Sequence, residues 1–490
     1  MKLRRTSLLA MGLLAGHFAG HLATAQTAPT APPAPMASVA ATPPMGWNSW
    51  DSFGLTITED QFRANVAVLA RQLKPYGYNT AVIDEGWFFF NPEDRPKPDT
   101  LHYAIDANGR YVPVPGRFPS VGHPPAVSAG ASDAAPKLAA TIQPTSFKAL
   151  ADWVHSQGLK FGIHIVRGIP RASVERNLPI AGSSFRASDA ADQTDACPWD
   201  PTNWGVKDSA AGQAWYDSLI TQYAGWGVDY LKVDCIAAHP YKPAEIRMIR
   251  RAIDKVGRPM VLSLSPGPTP IESADEVASL ANMWRISDDF WEFWTSPDPT
   301  KAFPQSVLGQ FEKTAAWAQY SRPGNWPDAD MLPLGHLGPV PGYGKPRDTR
   351  LTPDEQQTLM TLWSMARSPL ILGANLTQVD PPTLKLLTNR DVLAVDQLAT
   401  RSGQVLRSGP VIAWLADLPA NFPGGYTTAL AIFNIADQLI TISTSFEAYN
   451  LEPTTYRVRD AWAQKDLGPK PSVENLSLPP HASILWLLKK

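Results

Sequence analysis

Residues 228–235 read Val228-Asp229-Tyr230-Leu231-Lys232-Val233-Asp234-Cys235, an apolar run that ends on a carboxylate. Side chains of a strand alternate between its two faces, so Tyr230, Lys232 and Asp234 share one side. A lysine and an aspartate do not belong in a buried apolar layer. They can stand together at the mouth of a closed parallel barrel, the end where such barrels build their sites. A cation two residues before Asp234 would keep that carboxyl anionic, as a nucleophile needs to be. On this run alone, a strand-end Asp that caps the next helix is the competing reading.

Working outward, the same rhythm recurs from residue 43 to about residue 398. The pattern predicts strands over Gly46–Trp50, Thr80–Asp84, Lys160–His164, Tyr230–Asp234, Met260–Ser265, Met283–Ser287, a weakly marked one near Trp317–Ser321, and Pro369–Gly373. Amphipathic stretches alternate with them: Glu59–Leu73, Ser146–Gln157, Gly212–Trp226, Pro243–Val256 and Pro353–Met365. About eight such units read as an α/β chain forming a (β/α)8 TIM barrel, with strands buried on both faces. A doubly wound sheet is the structural competitor, and no G-x-G-x-x-G turn supports its dinucleotide-binding form. Residues 91–145 are too long and too rich in Pro and Gly for a plain connection, and they follow the second strand, on the rim. From residue 399 to 490 the pattern becomes short β-type segments without helices: Val411–Leu415, Thr428–Asn434, Ile440–Thr444, Tyr456–Asp460 and Ile484–Leu488. They predict a C-terminal antiparallel β-sandwich.

The 490 residues suit a large domain plus a small one, and a formal net charge of -2 offers nothing to nucleic acid or an acidic membrane. At the N-terminus, Lys2, Arg4 and Arg5 precede the apolar run Leu8–Leu14 and the site Ala23-Thr24-Ala25. Residues 1–25 thus read as a cleavable signal peptide, which makes the mature chain secreted or periplasmic. Residues 26–42, Ala- and Pro-rich without a hydrophobic period, read as a disordered lead-in. No later stretch reaches membrane-spanning length. The cysteines, Cys197 and Cys235, are an even pair in an exported chain, which favours one disulfide over two buried thiols.

Two further acidic runs end predicted strands. Trp284-Arg285-Ile286-Ser287-Asp288-Asp289-Phe290-Trp291 sets adjacent carboxylates among aromatics, where one can hold a proton and serve as general acid; a solvated acidic loop fits such surroundings poorly. Val82-Ile83-Asp84-Glu85-Gly86-Trp87 puts two acids beside an indole, a pairing suited to sugar hydroxyls and a sugar face. A metal site would want converging His and carboxylates, and the 9 His show no H-x-H or H-E-x-x-H spacing. A serine hydrolase would want a G-x-S-x-G elbow, which is absent. A carbohydrate-binding protein without activity would also use Trp and Asp, but would not need acids in contrasting environments.

Thr42-Pro43-Pro44-Met45-Gly46-Trp47-Asn48-Ser49-Trp50 resembles the opening signature of glycoside hydrolase family 27, the α-galactosidases and α-N-acetylgalactosaminidases. The resemblance runs through Asp84–Trp87, Lys160–Ile163, Tyr230–Asp234, Trp284–Asp289, Trp326–Met331 and Ser368–Leu376 to the C-terminal domain. It implies an exo-acting, retaining double displacement without cofactor or metal, on a galactose- or arabinopyranose-terminated saccharide. Carried over, Asp234 corresponds to the nucleophile and Asp289, four residues after Arg285, to the acid/base. Trp47 corresponds to the aromatic that stacks on the sugar, Asp84 and Glu85 to the pair at O4 and O6, Lys232 and Arg285 to the cations at O3/O4 and O2, and Asp330 to a pocket acid. Cys197 and Cys235 resemble the disulfide beside the pocket.

Three departures bear on sugar identity. Glu85 stands where most members have Asp, His164 where a tyrosine is usual, and Ser263-Leu264-Ser265-Pro266-Gly267 replaces the pattern that reads the C2 substituent, with Ser265 at the pocket position. α-D-Galactosidase is the first expectation from the family. Glu85 makes β-L-arabinopyranosidase the alternative: that sugar has the same ring stereochemistry without the C6 hydroxymethyl, and the longer Glu side chain reaches into the space C6 would need.

Overall fold

The computed structural model describes residues 36–94, 100–122, 139–340 and 343–490; the expected signal peptide and residues 26–35 of the expected lead-in lie outside them. Eight parallel strands lie side by side in chain order: β1 Met45–Asn48, β2 Thr80–Ile83, β3 Lys160–Val166, β4 Tyr230–Asp234, β5 Val261–Leu264, β6 Met283–Arg285, β7 Trp326–Asp328 and β8 Leu370–Leu372. Met45 pairs with Leu370 across β1 and β8, and the ring closes where Leu332, just past β7, bridges Leu372.

Helices follow the strands on the outside: α1 Glu59–Val68, α2 Lys148–Ser156, α3 Ala210–Trp226, α4 Pro243–Val256, α5 Ala274–Leu280, α6 Val307–Trp317, α7 Pro353–Ala366 and α8 Arg390–Leu398. Their ends are written locally. Thr58 with Gln61 and Thr352 with Glu355 form capping boxes on α1 and α7, while the left-handed Gly227 and Gly257 stop α3 and α4. In α4 the buried Ile246, Ile249, Ala252 and Ile253 repeat at helical spacing and face the barrel. No helix among the described residues is long and apolar enough to cross a membrane.

The two-residue alternation sorts the strand side chains. Val82, Tyr230, Val261, Met283 and Trp326 form one buried cluster with Ala40 inside the lower end of the barrel. That corrects the reading of residues 36–42 as disordered. Met36–Val39 form a helical turn, the Trp326 indole donates to the Ala40 carbonyl at 2.9 Å, and Gly324 N–H does so at 2.8 Å. The segment is too short to show a period, yet Ala40 fits the barrel end.

The seventh strand lies at Trp326–Asp328 and not near Trp317–Ser321, which is the end of α6 and a following 3-10 turn. Pro327 explains the miss, since a proline inside a short run argues against a strand. The segment after β2 adds a parallel pair, His102–Ile105 with Ala139–Ile142. Arg117 ties this segment to the rim by donating to the carbonyls of Leu55 at 2.6 Å and Gly86 at 2.5 Å, in the loops after β1 and β2.

Beyond α8, a six-stranded antiparallel sheet has the order β9-β10-β11-β16-β13-β14: β9 is Arg401–Ser408, β10 Val411–Asp417, β11 Thr428–Asn434, β13 Tyr456–Asp460, β14 Lys465–Lys470 and β16 Ser483–Lys489. A second sheet pairs β12 Ile440–Ser445 with β15 Ser472–Leu478. Leu430, Ile432, Val458, Val473, Leu478 and Leu488 pack into one core, which makes the module the expected β-sandwich.

Candidate active site

The inward residues of the strands change character toward the C-terminal end of the barrel. On β4, Tyr230 belongs to the apolar lower cluster, Lys232 follows, and Asp234 ends the strand. A cavity of about 360 Å³ opens there. Its inner wall carries Asp84, Glu85, His164, Lys232, Asp234 and Ser265, and Asp289 stands beside them.

Asp84 is the most heavily bonded of these groups. Its Oδ2 accepts from Asn48 Nδ2 at 2.7 Å and from Lys232 Nζ at 2.9 Å, and its Oδ1 accepts from the Glu85 N–H at 2.9 Å. Burial works against the Asp84 charge, but the cationic side of the pocket and that N–H outweigh it, holding the carboxyl well below the usual range. Burial likewise opposes the charge on Lys232; Asp84, Asp234 and Asp330 overcome it and hold the ammonium protonated. Burial pulls the His164 imidazole downward, toward its neutral form, with Asp84 opposing. His164 is placed by its strand, and its carbonyl accepts the Trp87 indole N–H at 2.8 Å.

Beneath the cavity, Arg285 bridges two acids. Its Nη2 lies 2.7 Å from Asp330 Oδ2 and its Nη1 3.2 Å from Asp289 Oδ1. Asp330 also accepts the Phe290 N–H at 2.8 Å; burial, with Asp289 and Asp328 nearby, pushes its carboxyl up to about 7 against the pull of Arg285. Arg285 and Asp330 therefore form the polar layer under the cavity.

The expected disulfide is present, with Cα atoms of Cys197 and Cys235 6.0 Å apart. Cys235 directly follows Asp234, so the bond fastens the 197–199 loop to the end of β4. Trp199 then donates its indole N–H to Asp234 Oδ2 at 3.1 Å. In the loop after β4, Cys235 and His239 are non-glycine residues with φ of 60° and 62°, and in the layer under the cavity Asp330 has φ of 88°.

One expected site residue is corrected. Trp47 is fully buried, packs on Phe53 and Phe62, and donates its indole N–H to the Ala374 carbonyl at 2.7 Å. On β1, Gly46 and Asn48 face inward, so Trp47 between them must face the helix layer. Trp50, beyond the strand, lines the cavity instead. Trp199, His239, Phe303 and Met331 also line it and were not anticipated. Trp50 sits inside the opening motif and Trp199 two residues after Cys197, so both had a signal; Phe303 had none. Among the described residues, no group of three or more His, Cys, Asp or Glu side chains is placed to hold a metal ion.

Residues 205–398 match the family described as alpha galactosidase A, and residues 408–488 the alpha galactosidase C-terminal beta sandwich domain. The chain is similar to a glycoside hydrolase family 27 β-L-arabinopyranosidase from Geobacillus stearothermophilus, at 40% identity and TM-score 0.80, covering 93% of this chain and 98% of that one. A variant of that enzyme has been solved in complex with arabinose. It is also similar to α-galactosidase I from Mortierella vinacea, at 25% identity and TM-score 0.65, over 92% of this chain and 98% of that one. Alpha-galactosidase 3 from Arabidopsis thaliana is 27% identical over 436 residues, 87% of this chain and 76% of that protein.

Proposed function

The chain belongs to glycoside hydrolase family 27, and from that membership we propose that it is an exo-acting, retaining β-L-arabinopyranosidase with α-D-galactosides as its secondary substrates. The observation that carries the sugar assignment is Glu85, buried in the cavity wall beside the Asp84–Lys232 pair. A carboxylate one methylene longer than aspartate takes up space beside the ring position where galactose bears C6 and arabinopyranose bears hydrogens. The 40% identity to an arabinopyranosidase, against 27% to a plant α-galactosidase, supports the same order, which is the opposite of the first expectation from the family. The broad α-galactosidase likeness of both domains keeps α-D-galactoside hydrolysis as the second reading.

In this reading Asp234 attacks the anomeric carbon as the bond to the leaving oxygen breaks, and Asp289 gives that oxygen its proton. A covalent glycosyl-enzyme results. Asp289, now a carboxylate, takes a proton from water; the water oxygen bonds to the anomeric carbon and Asp234 departs, so configuration is retained. Lys232 in the cavity wall and Arg285 in the layer beneath it offer N–H donors to ring hydroxyls. The disulfide fits a chain that works outside the cytoplasm.

The test is a panel of 4-nitrophenyl glycosides with purified protein: β-L-arabinopyranoside, α-D-galactopyranoside and α-N-acetylgalactosaminide. The highest kcat/KM is expected on the arabinopyranoside, with product released first in the configuration of the substrate. A preference for the galactoside would transfer the assignment to the second reading, and turnover of none of them would overturn both.

A further inference from the structure

The outer part of the cavity carries rings that the displacement chemistry does not use. His239 and Phe303 line the mouth together with Asp288 and Asp289. Phe303 is 41% exposed, and it is the one aromatic among the exposed large hydrophobic side chains of the described residues. It is held from behind. The Tyr343 ring meets it edge-on at 5.2 Å between centroids, Tyr343 packs on Trp291 at 5.1 Å, and Arg347 lies over Trp291 while pairing with the fully buried Glu292. A braced ring with solvent in front of it is preorganised to receive a flat apolar surface.

His239 is fixed as firmly. Its Nε2 lies 2.7 Å from Asp288 Oδ1, and its ring stands edge-on to Trp199, the residue that bonds Asp234. Asp288 engages Nε2, and among the described residues Nδ1 has no hydrogen-bond partner.

We propose that Phe303 and His239, the latter held by Asp288, bind the first sugar ring of the leaving group, a pyranose that stacks on Phe303 and hydrogen-bonds to His239. This rests on the glycosidase reading above. Asp289 must reach the glycosidic oxygen to protonate it, and the leaving sugar begins at that oxygen. Its ring therefore lies against whatever lines the mouth beside Asp289. A pyranose offers an apolar C–H face to an aromatic ring and hydroxyls at its edge to an imidazole.

The test compares two substrates with the same glycone. β-L-Arabinopyranosyl fluoride gives up fluoride ion, which fills no sugar site and departs without a proton from Asp289; a disaccharide of β-L-arabinopyranose on a pyranose needs both the sugar site and the proton. In Phe303→Ala and in His239→Asn, the ratio of kcat/KM for disaccharide over fluoride should fall roughly 10- to 100-fold. Asparagine is chosen because it tolerates the positive φ of position 239. A residue that only supports the fold would depress both substrates and leave the ratio unchanged, which would overturn the proposal. Failure of the parent reading looks different: the wild-type enzyme would leave the arabinosyl and the galactosyl fluoride intact, and this site would fall with it.

Discussion

Lys232 Nζ lies 2.9 Å from Asp84 Oδ2, joining the middle of β4 to the end of β2 just below the carboxylate of Asp234. Both side chains are largely shielded, at 13% and 2% exposure, so neither charge can fall back on water. The pair is thus part of the barrel's stability as well as of its pocket.

Asp84→Asn keeps the shape and leaves a buried ammonium short of its partner, which should cost about 3–5 kcal/mol. The pH dependence has a definite sign. The Asp84 carboxyl is held below its unfolded value, so its contribution is present above about pH 4 and lost as the pH falls further. The stability gap between wild type and Asp84→Asn, read by chemical denaturation, should stay level from about pH 5 to 8 and narrow on acidification below about 4. A gap that widens in acid would contradict the pairing.

Much of this site was legible because two periodicities coincide. Alternation put Lys232 and Asp234 on one face, and the barrel reading put that face at the mouth; strand-end placement pointed to Asp84 and to the Asp288–Asp289 pair, and the family resemblance selected Asp289 of the two. What escaped depends on contacts that no local pattern encodes. Trp199 reaches Asp234 because a disulfide draws its loop in, and Phe303 reaches the mouth through a stack anchored at the distant Glu292. β7 was misplaced because a strand of Trp-Pro-Asp has no strand signature of its own and is held by its neighbour β6. β9, β14 and β15 were missed in the sandwich for a related reason: β9 and β14 are edge strands, all three are rich in polar residues, and solvent leaves little hydrophobic pattern to read.

Asp234→Ala should lower turnover by several orders of magnitude, and azide should restore a product of inverted configuration, because the small anion takes the place of the missing carboxylate. Asp289→Ala should harm poor leaving groups far more than good ones in the glycosylation step, because only the poor ones need its proton. Steady-state and pre-steady-state rates over a series of aryl leaving groups check this. Equal losses across the series would remove Asp289 from the acid/base role.

Glu85→Asp should raise kcat/KM for α-D-galactoside relative to β-L-arabinopyranoside. Shortening the side chain by one methylene opens the C6 position, a change that discriminates by about 1–3 kcal/mol. The ratio should therefore shift by one to two orders of magnitude at most. An unchanged ratio would mean that Glu85 turns away from C6 and that sugar choice is made elsewhere, with His164 and Ser265 the next residues to vary.

Trp47 and Trp50 stand three residues apart in the opening motif and should separate cleanly on mutation. Trp47 is fully enclosed between β1 and α1, with its N–H satisfied by the Ala374 carbonyl, so Trp47→Ala leaves a large cavity and should destabilise the barrel by about 3–5 kcal/mol. Trp50 is half-buried, begins the loop after β1 and faces the sugar cavity. Trp50→Ala removes a ring from the wall without emptying the core, so it should raise KM while leaving the melting temperature near wild type. The two variants, compared by thermal melting and by steady-state kinetics on the same glycoside, should trade places between the two measurements. Loss of sugar affinity in Trp47→Ala with unaltered melting would restore the stacking role to Trp47. It would also require β1 to present its odd-numbered residues to the interior, contrary to the inward Asn48 that bonds Asp84.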